Sequence, residues 1–285
     1  MPDFVVDAHV ARRRFERAAG SYAGASRLET EIGARMLERL DYVKLAPRRV
    51  LDAGSGPPQR TLSKRYPDAD VLALDFAVAM LRQQKKKFFE RKPVKAVAGD
   101  IARLPLAAGT IDLVWSNMVL HWAADPLAAL REFHRVLAVE GLLMFSTLGP
   151  DTLSELRAAA GAARVHAFAD MHDLGDMLVA AGFAEPVMDM ERLTVEYADG
   201  GALLADLRAS GQTCALAGLA GEPLRSPRGL AGRGFLAALQ ARLAAQQRGG
   251  KLPVSYEVVY GHAWKPAPRR AADGRAIVQF DRRPS

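Results

Sequence analysis

Val50-Leu51-Asp52-Ala53-Gly54-Ser55-Gly56-Pro57-Pro58 reads as an apolar strand that ends in an acid and breaks into two glycines before a helix begins. That turn lets the backbone pass close to a small nucleotide-like ligand at the carboxyl end of a parallel strand. A dinucleotide site wants G-x-G-x-x-G, so that helix amides reach a pyrophosphate, and here the third glycine position is Gln59.

Asp52 suits a cationic group instead. A ligand that joins adenosine to an ammonium and a sulfonium is S-adenosylmethionine, which is therefore the cofactor expected. Downstream, strands and helices alternate, the pattern of a parallel sheet covered on both faces. Strand 50–53 leads to a helix near 59–66, with Pro57 and Pro58 at helix-start positions that need no amide donor. A strand at 71–74 ends at Asp75, and a helix near 77–91 follows. The strand 94–98 ends at Gly99-Asp100, and 111–115 runs into Ser116-Asn117. Asp125-Pro126 then marks the start of a helix to about Ala138, closed by Gly141, and 142–147 is the fifth strand.

Upstream lie a basic amphipathic helix over 7–19 and a second helix over 27–43, both expected to cover the mouth of the site rather than build the sheet. Past Gly149, helical patterns at 151–160, 171–181, 202–209 and 233–247 and β-rich runs at 187–197 and 254–264 would complete the sheet. The fold expected is α/β: a Rossmann-like seven-stranded, mostly parallel sheet with an N-terminal helical lid and a C-terminal helical insertion. The divisions are 1–46 for the lid, 47–197 for the core, 198–253 for the cap, 254–265 for the final strand and 266–285 for a flexible tail.

Composition narrows the function classes. In 285 residues no apolar run approaches the roughly 18 of a membrane span, and Met1-Pro2-Asp3 opens without a signal pattern, so a cytoplasmic protein with no membrane partner is expected. One cysteine, Cys214, allows no intrachain disulfide and supplies no metal-binding thiolate cluster; it reads as a small buried residue. The net charge of +7 permits nucleic acid, anionic lipid or an acidic protein as partner, and scattered arginines without a nucleic-acid motif argue against the first.

Four stretches fall at the carboxyl ends of the first four strands, where open α/β sheets bind ligands. Gly54 and Gly56 free the backbone, Asp75 is placed for the ribose hydroxyls, Asp100 and Ile101 for the adenine, and Asn117 lies nearest the reacting end. An isolated strand-end acid is commonly a helix cap or a solvated loop residue; four such ends together outweigh that reading.

The series Leu51–Pro57, Leu74-Asp75-Phe76, Ala98-Gly99-Asp100-Ile101 and Trp115–Trp122 resembles a class I methyltransferase. Within that superfamily the chain is similar to the malonyl-acyl-carrier-protein O-methyltransferases of biotin synthesis. Phe15-Glu16-Arg17-Ala18-Ala19-Gly20-Ser21-Tyr22 resembles that family's F-x-R-A-A-x-x-Y segment, Ser116–Trp122 its S-N-L-x-x-Q-W loop, and 130–137 and 145–148 its next helix and strand. Pro58 stands where many methyltransferases have glycine, and His121 where a glutamine is common. The resemblance implies Tyr22 and Phe76 at the cofactor, with Phe15, His121 and Trp122 beside the substrate. It implies malonyl-acyl carrier protein as substrate, with a monomer expected. Arg208, in the segment that would cap the site, is the candidate for gripping the malonyl carboxylate.

A carboxylate is ionised at neutral pH, so no catalytic base is assigned, and His121 and His134 are read as loop and helix histidines. Two basic faces, Arg82-Lys85-Lys86-Lys87-Arg91-Lys92 and Arg12-Arg13-Arg14, read as solvated charge or as docking surfaces for an acidic carrier. Two other functions fit the fold: a protein-modifying enzyme like the arginine-hydroxylating assembly factor of respiratory complex I, separable by iron dependence, and a cofactor-binding protein without turnover.

Overall fold

The computed structural model describes residues 6–83, 92–213, 215 and 229–268 of the chain. The N-terminal elements are α1 (Ala8–Ala18), α2 (Tyr22–Ala25) and α3 (Arg27–Arg39). Next come β1 (Arg49–Ala53), α4 (Thr61–Arg65), β2 (Asp70–Asp75), α5 (Val78–Leu81), β3 (Lys95–Ala98) and β4 (Ile111–Asn117). They are followed by α6 (Pro126–Val136), β5 (Leu137–Leu148), α7 (Ser154–Ala160), α8 (Met171–Ala180) and β6 (Ala184–Tyr197). Helices α9 (Gly200–Ala209) and α10 (Gly229–Ala244) precede the last strand, β7 (Leu252–Trp264).

The strands form one seven-stranded sheet in the order β3-β2-β1-β4-β5-β7-β6. β7 runs antiparallel to both its neighbours, and the other pairings are parallel. Helices cover both faces, so the central strands are apolar on both sides instead of alternating. On one face Val71, Ala73, Leu113 and Met144 pack against Ile32 and Met36 of α3. On the other, Leu51, Leu74, Val114 and Phe145 pack against Leu130 and Phe133 of α6 and Leu174 and Leu178 of α8. The strand order reverses between β1 and β4, which opens a crevice at their carboxyl ends.

Several boundaries differ from expectation for local reasons. α3 builds the sheet's cover as well as flanking the site, because Ile32, Met36 and Leu40 form a stripe at helical spacing that is 0–1% exposed. It ends at Arg39 and passes into a 3₁₀ turn, Leu40–Tyr42, rather than continuing to 43. Pro57 and Pro58 lie in the loop, not in the first turn of α4, which begins at Thr61. Gly141 does not close α6: the helix stops at Val136 and β5 starts at once. A register shift against β4 follows, with Ile111 opposite Leu137 and Leu113 opposite Leu142, and Glu140 takes a φ of 63°. This bulge absorbs the extra residues.

Polar side chains fix the helix starts. Asp7 caps α1 by accepting from the backbone N–H of His9 and Val10 at 2.9 and 3.0 Å, a cap of about 1 kcal/mol. Glu16 on α1 accepts from the N–H groups of Val78 and Ala79 at 2.8 and 3.1 Å, pinning α1 to the start of α5. α9 and α10 cross closely at Gly200, where a Cβ would stand 2.7 Å from Leu243 Cδ1. The expected helix beyond Gln83, with Lys85, Lys86, Lys87 and Arg91, lies outside the described residues, as do Cys214 and the tail from 269. No helix among the described residues is long and apolar enough to cross a membrane.

Candidate active site

The loop after β1 is shaped by its two glycines. Gly54 and Gly56 adopt φ values of 76° and 59°, the left-handed region that other residues enter at a cost. At Gly54 there is also no room: a Cβ would lie 2.4 Å from both Cγ atoms of Val119. The N–H groups of Gly54 and Ser55 both donate to the Leu74 carbonyl, at 2.7 and 3.0 Å, which folds the loop against the end of β2.

Asp75 completes this arrangement. Its Oδ2 accepts from Gly56 N–H at 2.9 Å and its Oδ1 from Ala77 N–H at 2.7 Å. A carboxylate oxygen has more than one acceptor site, so both can still receive a hydroxyl. Burial raises the Asp75 pKa to about 6 against the pull of those two amides. Asp52 is pushed further, to about 7, by burial and then by the charge of Asp75. No lysine or arginine among the described residues forms an ion pair with either acid. Two buried carboxylates without a cation favour a cationic ligand.

A cavity of about 770 Å³ opens at these strand ends. Ten of the thirteen sequence-derived residues line it: Phe15, Tyr22, Gly54, Gly56, Asp75, Phe76, Asp100, Ile101, Asn117 and Trp122. Asp52 lies instead in an adjoining chamber that shares Tyr22, Gly54 and Asn117 with it and adds Glu29. Asp100 is exposed at the rim and caps its own turn through Ala102 N–H at 2.9 Å. Asn117 lines the wall with its amide already engaged: Nδ2 donates to the Glu29 carbonyl and Oδ1 accepts from Ser146 Oγ, both at 2.8 Å. It therefore braces α3 against β4 and β5.

A second cavity, of about 890 Å³, lies beneath α7, α9 and α10. His121, Trp122 and Arg208 line it, with leucines from five segments, Phe168, Arg164 and His166. Trp122 belongs to both linings and divides the two spaces. Its ring meets Phe15 edge-on at 5.0 Å and His166 at 4.8 Å, and Phe15 continues to Phe76 at 5.9 Å and Tyr22 at 6.5 Å. Each such pair contributes about 0.5–1.5 kcal/mol beyond its buried area.

The histidines here are poor bases. Burial, with the neighbouring His166, lowers the His121 pKa to about 3, and its Nδ1 is 3.2 Å from Thr147 Oγ1. His134 lines neither cavity and packs on Phe183. Arg14, expected to share a solvated face with Arg12 and Arg13, is half-buried and its charge opposes protonation of His166. Among the described residues no group of three His, Cys, Asp or Glu side chains is placed to hold a metal ion.

Sequence reasoning missed Glu16, Glu29 and His166. Glu29 is buried on α3, its pKa raised to about 7 by burial and then by Asp206, and it accepts from Gln212 Nε2. Their partners lie 49 to 183 residues away, so no local spacing announces them.

The methyltransferase-domain family matches residues 51–145. The malonyl-acyl-carrier-protein O-methyltransferase of Gallionella capsiferriformans (strain ES-2) is 49% identical over 291 residues, covering 98% of each chain. That of Methylovorus sp. (strain MP688) is 50% identical over 99% of this chain and 97% of its own. Among solved structures, the YcgJ protein of Bacillus subtilis superposes with a TM-score of 0.56 at 17% identity, over 83% of this chain and 98% of that one. Phosphoethanolamine N-methyltransferase 2 of Haemonchus contortus, in complex with S-adenosyl-L-methionine, gives 0.54 at 16% identity, over 88% and 57%. At those identities the likeness is one of fold.

Proposed function

The chain belongs to the malonyl-acyl-carrier-protein O-methyltransferase family, and from that membership we propose that it esterifies the free carboxylate of a malonyl group carried by an acyl carrier protein, with S-adenosylmethionine as methyl donor. The methyl ester removes the charge and lets the group pass for an apolar acyl chain, priming synthesis of the pimeloyl precursor of biotin. One observation carries this reading: a nucleotide-sized cavity lined by Asp75, with Asp52 in the chamber beside it, and a larger apolar cavity with arginines meet at a single shared residue, Trp122.

The residues present fit the cofactor. Asp52, with Glu29 near it, faces the chamber suited to an ammonium; Asp75 has acceptor capacity for ribose hydroxyls; Asp100 and Ile101 offer a carboxylate and an apolar wall for the adenine. Gly54 and Gly56 keep side chains out of the floor, and Tyr22, Phe76 and Asn117 complete the wall. When bound there, S-adenosylmethionine supplies an electrophilic methyl group on a positively charged sulfur.

The protein's own part is alignment and exclusion of water. A malonyl carboxylate, with an ordinary carboxylate pKa near 4, is already the nucleophile at neutral pH. No base is needed, and His121 at a pKa of about 3 is suited to stay neutral rather than to take a proton. Phe15 and Trp122 shield the junction, with Tyr22 behind them, under the lid formed by α1 and α2. Arg208 is the residue proposed to hold the acyl carboxylate in the second cavity. Arg12 and Arg13, exposed on α1, offer a docking face to an acidic carrier in a cytoplasmic setting.

Intact-mass spectrometry of malonyl-loaded carrier protein, incubated with the enzyme and S-adenosylmethionine, tests this directly. The expected product is the carrier heavier by one methylene, with acetyl-loaded carrier unchanged. An unmodified malonyl carrier, or equal modification of the acetyl form, overturns the proposal.

A further inference from the structure

The second cavity carries more than arginines. Its lining holds Arg164, Arg208, His121 and His166, with no aspartate or glutamate among the described residues. Arg164 stacks over Phe235 at 4.3 Å from the ring centre. A chamber supplied with donors and lacking carboxylates is suited to a ligand rich in acceptor oxygens.

His166 is 5% exposed, and its neighbours determine which ring nitrogen bears hydrogen. Nε2 lies 2.8 Å from the backbone N–H of Ala215, which can only donate, so Nε2 is the acceptor. A neutral imidazole in that position carries its hydrogen on Nδ1. Ala215 is itself held from the other side, its carbonyl accepting from Asp7 N–H at 2.7 Å, so the contact that orients the ring is anchored to the start of α1.

Resting on the function proposed above, we infer that His166 is a substrate-binding residue whose Nδ1–H, fixed as a donor by Ala215, hydrogen-bonds an oxygen of the acyl group lodged beside Trp122. The ring stays neutral: burial and then the charge of Arg14 lower its pKa to about 4, and the other titratable or charged groups around it are His121, Arg164, Arg208 and Arg157, whose guanidinium donates to the His166 carbonyl at 3.1 Å. Neutrality suits the chemistry. A neutral donor helps to orient the carboxylate held by Arg208 without adding a second positive charge, which would stabilise the ground state further.

Substitutions separate this role from a structural one. His166→Gln keeps an acceptor where Nε2 sat and loses the donor; His166→Asn keeps a donor near Nδ1 and loses the acceptor; His166→Phe removes both. With malonyl-pantetheine as probe, His166→Gln is expected to raise KM for the thioester by about tenfold or more, the loss of one hydrogen bond to a charged group. Its Tm and its affinity for S-adenosylhomocysteine stay at wild-type values, and His166→Asn recovers most of the lost KM. With S-adenosylmethionine saturating at each pH, the ratio of His166→Gln to wild-type kcat/KM is constant from about pH 5.5 to 8, as a histidine titrating far below its usual range requires. A wild-type KM in His166→Gln overturns the inference, as does a loss in all three variants that tracks a fall in Tm, or a wild-type limb near pH 6.5 abolished by His166→Gln. If the wild-type enzyme methylates no malonyl thioester, the function proposed above fails and this inference falls with it; active wild type with unchanged His166→Gln removes the inference alone.

Discussion

The two cavities on either side of Trp122 are built in opposite ways. The cofactor side is made by backbone: positive-φ glycines, strand ends and amide hydrogen bonds to Asp75, drawn from the loops that follow four consecutive strands. The acyl side is made by side chains from the segments around 121, 153, 166, 207 and 235, each without a motif of its own. A site fixed by backbone tolerates little change, while one lined by side chains can be retuned residue by residue. That difference predicts how variants on the two sides will behave.

The largest effect is expected at Gly54. In Gly54→Ala, a residue at φ 76° gains a Cβ 2.4 Å from Val119, which combines backbone strain with a clash. Affinity for S-adenosylhomocysteine and kcat/KM should both fall by about a hundredfold or more, equivalent to about 3 kcal/mol. Adding Val119→Ala removes the two Cγ contacts but leaves its Cβ 2.9 Å away and the strain in place, so recovery is partial. Full binding by Gly54→Ala in a calorimetric titration would break the claim that backbone shape dominates this side.

Arg208→Lys should act on the acyl side alone. Replacing a planar two-donor group by a point charge raises KM for the malonyl substrate by about tenfold and leaves S-adenosylhomocysteine affinity within about twofold. Equal losses for both ligands would show that the cavities are not separable. The smallest effect is thermal. Asp52 and Asp75 have pKa values raised above their unfolded value near 4, so between about pH 4 and 7 the folded chain retains protons that the unfolded chain has released. Ligand-free stability from these groups therefore declines as pH rises through that window. Asp52→Asn removes one contribution: its Tm at pH 7.5 should exceed wild type by about 2–4 °C, with the difference vanishing near pH 4. Its affinity for the cationic ligand should drop. A difference in Tm independent of pH would contradict the assigned cause.

The same division explains what could be read from the sequence. Asp52, Gly54, Gly56, Asp75 and Asp100 announce themselves because each ends an apolar run, and a strand end is a local signal. The mostly parallel sheet and the positions of α6 and α8 follow from the same alternation, whereas the order of the strands has no local signal and comes from the pairing. His166 is different: its meaning rests on an amide 49 residues away, and Glu29 meets Gln212 across 183 residues. The end of α6 was misread because Gly141 resembles a helix stop, whereas it sits inside β5 beyond a bulge that only the pairing with β4 reveals. Asn117 lines the cavity, as its strand-end position implies, while the partners of its amide, the Glu29 carbonyl and Ser146, lie 88 and 29 residues away and have no local signal.

A crystal structure of the enzyme with S-adenosylhomocysteine and malonyl-pantetheine tests the two-cavity account most directly. The account predicts the nucleoside in the glycine-floored cavity, the acyl group in the cavity of Arg208 and His166, and Trp122 in contact with both. Density placing both compounds in one cavity, or the acyl group away from Trp122, would contradict it.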